Sequence, residues 1–350
     1  MDTELSQENI KISLSIPERE LYIIKSEDSN GPYEVERKYK DLIILKRNLS
    51  NHWPGCYVPF IPDSIVHIEE SDIRKLVENY IIKIISIAFL YRSVEFQYFL
   101  KDDRDYSKIP FDIESIIDMS ERYQKVFSHV TITDFDDEYI TDSESNFESN
   151  LSKMQNFSTI CRQNSSNYEN YARELSMLFD NMNKVGKILI DQEEVVTLRE
   201  ECINPYKIIQ DWLNNEIYEV QGMINAIKSR EKIVKLRIKA EYQLNEYQAS
   251  YDKVASGKKS LMQKLKGQSE EEIKSHLLEI LMECKHEVEM IRITEKIINN
   301  RLAKLEIPFF KKTRSFHFNK IMKAFLSAHN DEFSSIITQS KRMLYVHNNK

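Results

Sequence analysis

Between Pro205 and Leu305 apolar residues recur at helical spacing for about a hundred residues, and few folds can use such a pattern. Ile209, Leu213, Ile217, Val220, Ile224 and Ile227 form one row. Ile273, Leu277, Ile280, Cys284, Val288, Ile291, Ile298, Leu302 and Leu305 form a second, in steps of three and four, once doubled to seven. Each row is the buried seam of a long helix. The interruption runs from Ser256-Gly257-Lys258-Lys259 to Lys264-Leu265-Lys266-Gly267, a turn flanked by four lysines. The spacing therefore predicts two long antiparallel helices forming an arm with a basic tip, a shape that no compact single-core enzyme needs.

The prolines divide the 350 residues. Six of eight stand at or before Pro110, so a small mixed domain precedes a long helical one. Charge is uneven in the same sense: net −4 over residues 1–110, −10 over 111–200 and +7 over 201–350. A modestly acidic total thus hides a basic C-terminal part, suited either to a solvated helix face or to an anionic surface. The four cysteines, at 56, 161, 202 and 284, form no CxxC spacing and suggest a reducing compartment. The start, Met-Asp-Thr-Glu, lacks the features of a signal peptide. The most apolar run, Ile81 to Leu90, is half a membrane span and contains Lys83. The expectation is a soluble, cytoplasmic protein whose membrane contacts are peripheral.

Residues 10 to 16 alternate strictly and predict a strand, with a second over Leu21 to Lys25 and a turn at Ser29-Asn30-Gly31-Pro32. In a third strand Tyr33, Val35 and Arg37 share one face, and Glu34, Glu36 and Lys38 the other. From Asp41 the period becomes helical, with Leu42, Leu45 and Leu49 on one side. A proline loop runs from Trp53-Pro54-Gly55 to Pro59-Phe60-Ile61-Pro62. Ser71-Asp72 then suits a helix N-cap, with Leu76, Tyr80, Ile84 and Ile85 inward, and a last short helix carries Phe96, Phe99 and Leu100.

This order resembles the PX domain, the phosphoinositide-binding module of sorting nexins, over roughly residues 8 to 106. The residues that carry the resemblance are Val35-Glu36-Arg37-Lys38-Tyr39-Lys40-Asp41-Leu42, the PxxP of Pro59 and Pro62, and Ser93-Val94-Glu95-Phe96-Gln97-Tyr98-Phe99-Leu100. The resemblance implies a pocket for phosphatidylinositol 3-phosphate or another anionic lipid built from Arg37, Lys38, Tyr39 and Arg74. Lys38 would take the 3-phosphate and Tyr39 the face of the inositol ring. Where the family has its second signature arginine this chain has Lys38, a point charge without the bidentate fork. After the PxxP, where the family usually has lysine, stand Asp63 and Ser64. Ile73 stands at the family's helix arginine, one residue before Arg74.

Residues 111 to 144 read as an acidic linker. Phe111, Ile113, Ile116, Ile117, Tyr123 and Phe127 make an amphipathic helix whose polar face holds Asp112, Glu114, Asp118 and Glu121 against Arg122 and Lys125. Such a face favours packing onto the protein over anionic lipid. From Asp134 to Glu144 there are six acids and no base, the composition of a solvated connector. Helical spacing returns at Phe147, Leu151 and Met154 and runs to Leu189. Pro308 should kink or end the third long helix, beyond which Phe318, Ile321, Met322, Phe325, Phe333, Ile336, Ile337 and Met343 continue the pattern.

Three long helices with one seam each need a dimeric bundle to cover them. Behind a PX-like domain, this resembles the BAR domain of the PX-BAR sorting nexins over about residues 147 to 345. The stretch Leu265-Lys266-Gly267-Gln268-Ser269-Glu270-Glu271-Glu272 is similar to the tip of the sorting nexin 4-like subgroup. The expected fold is an α+β PX-like domain (1–110, a three-stranded antiparallel sheet with helices), the linker (111–144) and an all-α BAR-like domain of three long helices (145–350). Lys228, Lys232, Lys235 and Lys239, which share a helix face, and Lys258, Lys259, Lys264 and Lys266 at the tip are expected to face membrane. Lys311, Lys312 and Arg314 are further candidates.

No catalytic constellation is legible. Cys284 and His286 lie on different helix faces, His276 and His286 are too far apart to share a metal, and no P-loop or GxGxxG occurs. Neither an enzyme, a cofactor nor a nucleic-acid partner is expected. The reading is a peripheral endosomal membrane protein that binds phosphoinositide-containing membrane and senses or shapes curvature in sorting, recycling or autophagy-related traffic. It would act as a homodimer or as a heterodimer with another sorting nexin. The other reading is a coiled-coil scaffold whose PX-like domain docks a protein.

Overall fold

The computed structural model describes residues 11–18, 21–28, 31–66, 68, 70–111, 114–133, 137–190, 204–256 and 270–348. Three strands, β1 (Lys11–Glu18), β2 (Leu21–Asp28) and β3 (Gly31–Lys38), form an antiparallel sheet in sequence order. Leu21 pairs with Lys38 at one end of β2–β3 and Asp28 with Gly31 at the other. Alternation puts Tyr22, Ile24, Val35 and Arg37 on the buried face.

Helix α1 (Tyr39–His52) lays Leu42, Leu45 and Leu49, all fully buried, against that face. Each contributes roughly 2 kcal/mol of apolar burial. Helices α2 (Glu70–Ser86), α3 (Ala88–Tyr91) and α4 (Val94–Lys101) close the module through Ile73, Val77, Tyr80, Ile84, Leu90, Phe96 and Phe99. Helix α2 starts at Glu70, so Ser71 and Asp72 lie in its first turn and not before it.

Then come α5 (Ile116–Val126), α6 (Glu138–Ile190), α7 (Pro205–Ala255), α8 (Glu270–Arg301) and α9 (Ile307–Asn348). The first long helix begins at Glu138, well before Phe147, and so absorbs much of the expected connector. Glu138 lies in its first turn, where the helix dipole favours negative charge, and Asp142 and Glu144 follow in the second. Around Pro308 the chain stays helical: a π turn, Leu302–Glu306, precedes α9 and re-spaces the carbonyls where proline supplies no N–H.

The chain divides into two compact units, Met1–Ser145 with Gln221–Pro308, and Asn146–Val220 with Phe309–Lys350. This division falls after Ser145, beside the end of the expected linker, and again within α7 and at Pro308, so part of the expected helical domain belongs to the first unit. In the first unit the PX-like module is joined to the helices by a cluster of rings. Trp53 packs on Phe89 (4.8 Å between centroids), Tyr123 (5.6 Å) and Phe127 (6.1 Å). Arg122 of α5 covers Trp53 at 4.1 Å, and Arg301 of α8 covers Phe127 at 4.0 Å and Phe89 at 4.9 Å. Arg301 also pairs with the buried Glu306 and donates to Cys56. Gly55, at φ +76°, donates its N–H to Ser229 Oγ at 2.8 Å, and a Cβ there would strike Ile298. The amphipathic α5 thus packs inward, with Met119, Tyr123 and Phe127 buried.

In the second unit Cys161, Ile209 and Leu213 form a core with Met154, Trp212, Ile321, Met322 and Phe325 around it. Arg314 of α9 pairs with Glu216 at 3.1 Å and Glu219 at 3.6 Å.

Candidate functional site

The corner between β3 and α1 holds three of the four expected lipid-binding residues, and it uses them unequally. Arg37 is 1% exposed. Its five N–H groups meet five carbonyls: Phe99 O at 2.9 Å, Glu36 O at 2.9 Å, Tyr98 O at 3.2 Å, Arg104 O at 3.5 Å, and Asp102 O. The rings of Phe99 and Tyr106 lie at 5.4 and 5.7 Å. Burial pushes the guanidinium below its usual pKa, with Asp41 the largest opposing influence. Arg37 therefore stabilises the carbonyl end of α4 and has no donor left for a phosphate, so its expected place in the lipid pocket is corrected.

Lys38 is exposed at the start of α1, where its backbone N–H donates to Asp41 Oδ2 at 2.8 Å. Tyr39 is buried, and its hydroxyl donates to Pro62 O at 2.7 Å, pinning the PxxP loop. Beside it Lys46 donates to Ile61 O at 2.9 Å and to Asp63 Oδ1 at 2.5 Å, with its ammonium 4.7 Å from the centre of the Phe60 ring. Ile73 is buried, and Arg74 pairs with Glu78 one turn on, at 3.0 Å. The structure brings Tyr39, Lys46, Pro62 and Asp63 together, with a carboxylate already on the lysine. Sequence reasoning passed over Lys46; its position four residues after the buried Leu42, opposite an acid following the PxxP, was the available signal.

On α7, Lys228, Lys232, Lys235 and Lys239 are all exposed, although Lys232 has a different role from the others. Its ammonium donates to Asn51 Oδ1 at 2.8 Å, and partial desolvation lowers its pKa. Lys232 thus tethers the PX-like module and is not aimed at a membrane. Lys235 pairs with Glu231 at 3.2 Å. The arginines lie on another side of α7 and are spent within the fold, Arg230 on Asp137, and Arg237 on Glu295 (2.6 Å) and Glu241 (3.0 Å). The expected tip lysines, Lys258, Lys259, Lys264 and Lys266, lie outside the described residues, as does most of the loop that carries the subgroup likeness.

The second unit has a different kind of surface. Helix α6 leaves Phe157, Ile160, Tyr171 and Leu178 in solvent, at spacings of three, eleven and seven. Helix α9 leaves Leu326, Phe333 and Ile337, exposed by 56%, 59% and 53%. Each set shares a helix face, an apolar row that the described residues leave in water. Among the described residues no cluster of His, Cys, Asp and Glu could hold a metal ion, and no helix is long and apolar enough to cross a membrane.

Residues 25–103 match the family described as PX domain. The N-terminal module is a PX domain. An all-helical region follows it, the order of parts that the resemblance to the PX-BAR sorting nexins led us to expect. Among solved structures the chain is similar to the cryo-EM structure of the SNX-BAR Mvp1 tetramer, at 14% identity and a TM-score of 0.49, over 96% of this chain and 100% of that one. No curated protein matches.

Proposed function

We propose that the chain is a PX-BAR sorting nexin, a peripheral membrane protein whose helical region dimerises and senses or shapes curvature in endosomal sorting, recycling or autophagy-related traffic. One observation carries this reading: a PX domain precedes long helices whose apolar rows on α6 and α9 stand in water. Rows of that kind are covered by a second copy or by a related nexin, and dimerisation multiplies weak lipid contacts of about 1 kcal/mol per surface lysine. Lys228, Lys235 and Lys239 supply such contacts on α7, and the tip lysines extend them. Sedimentation of the purified chain should give a dimer; a stable monomer would mean that a different nexin covers the rows. Flotation with vesicles of phosphatidylcholine, phosphatidylserine and phosphatidylinositol 3-phosphate at low salt should carry the protein upward. Failure to float removes the membrane reading.

A second reading, a dimeric scaffold whose PX domain docks a protein, is favoured by the corner around Asp63, where Lys46 is already neutralised and Arg37 is consumed. Flotation that is unchanged when phosphatidylinositol 3-phosphate is omitted supports that role for the PX domain. Lipid selectivity that falls on Lys38→Ala restores the phosphoinositide pocket.

A further inference from the structure

From Ile307 to Asn330 the chain has five lysines and arginines and no acid. The structure sorts these cations. Arg314 is held by Glu216 and Glu219, and Lys311 lies over the Phe147 ring at 5.6 Å. Lys312, Lys320 and Lys323 are exposed, and among them stands Phe316, 67% exposed. The spacings four, four and three put all four on one face of α9, with neighbouring side chains about 5–6 Å apart at Cβ. A phenylalanine in water at the centre of three lysines is poorly placed for a solvated face, and it matches the boundary of an anionic bilayer. There lysine stems lie along the apolar layer with their ammonium groups among the headgroups.

We infer that Lys312, Phe316, Lys320 and Lys323 form a second membrane-contact site on α9, in which the Phe316 ring enters an anionic bilayer and the lysines hold its headgroups. The inference rests on the membrane reading above and adds a site that neither the α7 stripe nor the PX pocket contains. A second copy fits this stretch less well than it fits Leu326, Phe333 and Ile337. Along the exposed row of α6, Phe157, Ile160, Tyr171 and Leu178, the acid on the same side is Glu174, one carboxylate against three lysines, so a partner row of the same kind would leave most of their charge uncompensated.

The test uses the full chain. Phe316→Trp should show a blue shift, and quenching by brominated acyl chains, on adding phosphatidylserine-containing vesicles, over the background of Trp53 and Trp212. Replacing Lys312, Lys320 and Lys323 together by glutamate should lower vesicle affinity by about a hundredfold, roughly fivefold per lysine, and leave the sedimentation of the dimer unchanged. If the parent chain binds these vesicles while the triple variant binds equally well and the introduced indole does not shift, the α9 site is overturned and the membrane reading stands. If the parent does not bind, both fall. An introduced indole whose emission is blue before vesicles are added, and reddens on dilution to monomer, assigns the face to a second copy and overturns the site.

Discussion

The two units treat their side chains in opposite ways. The first has spent its arginines: Arg37 on backbone carbonyls, Arg122 on Glu114 and Trp53, Arg301 on Glu306 and two rings, and Arg230 and Arg237 on carboxylates. Its long-range polar contacts close the PX domain onto α5, α7 and α8. The second has spent few of its large apolar residues, and whole rows on α6 and α9 face water. The first unit is thus closed around its PX domain within one chain, with Ile238, Tyr242, Leu278 and Met282 of α7 and α8 left exposed, while the second exposes aromatic and aliphatic rows on both α6 and α9. The difference separates what stabilises this molecule from what it offers to others.

The largest effect should come from removing Arg301. Arg301→Met leaves the Glu306 carboxyl, which burial already pushes up in pKa, without its ion-pair partner, and should cost about 3–5 kcal/mol in urea denaturation followed by tryptophan fluorescence. Replacing Glu306 by leucine in the same chain should recover a large part of that loss. If Arg301→Met is neutral, the first unit is not held together as described.

Next, Phe333→Asp with Ile337→Asp should weaken self-association by about 3 kcal/mol, roughly a hundredfold, as read by sedimentation across concentration, while the urea midpoint of the Trp53 signal stays put. A dimer that persists would place the seam elsewhere and break the contrast between the units.

A smaller effect is pH-dependent. Burial, with the Arg122 charge second, depresses His52 from 6.5 to about 4; Glu114 opposes this, and Nδ1 lies 3.0 Å from Glu95. The unfolded chain therefore takes up this proton before the folded one. The stability that a neutral His52 gives is complete above pH 6.5 and is lost as pH falls toward about 4, on the order of 2 kcal/mol. His52→Gln should flatten the curve over that window.

The smallest concerns the lipid pocket. Asp63→Lys removes the carboxylate from Lys46 and should raise the phosphatidylinositol 3-phosphate-dependent part of vesicle binding by about fivefold, near 1 kcal/mol. No gain would mean that the corner is closed for reasons other than charge.

Much of this was legible in advance because it is local. The alternation of Tyr33, Val35 and Arg37 already put Arg37 on the inner face of β3; its signature position suggested a lipid contact instead. The acceptors that consume it come from residues 98, 99, 102 and 104, about sixty positions away, and no periodicity announces them. The acids from Asp134 to Glu144 were read by composition as a solvated connector, although Glu138 starts a helix, where its charge is favourable. Lys232 shares a face with Lys228, Lys235 and Lys239, but only the approach of Asn51 sets it apart. Seams along helices were readable; which residue meets which across two hundred positions was not.

The glycine turn at Gly55 has a consequence in time. Its contact with Ser229 spans 174 residues, and that of Cys56 with Arg301 spans 245. At roughly 5–20 residues per second of synthesis, the side of the PX domain carrying Trp53 and Cys56 waits on the order of ten to fifty seconds for the helix that covers it. During that interval the nascent chain displays an unfinished aromatic face, so the last-made part of the first unit governs how safely the first-made part survives its own synthesis.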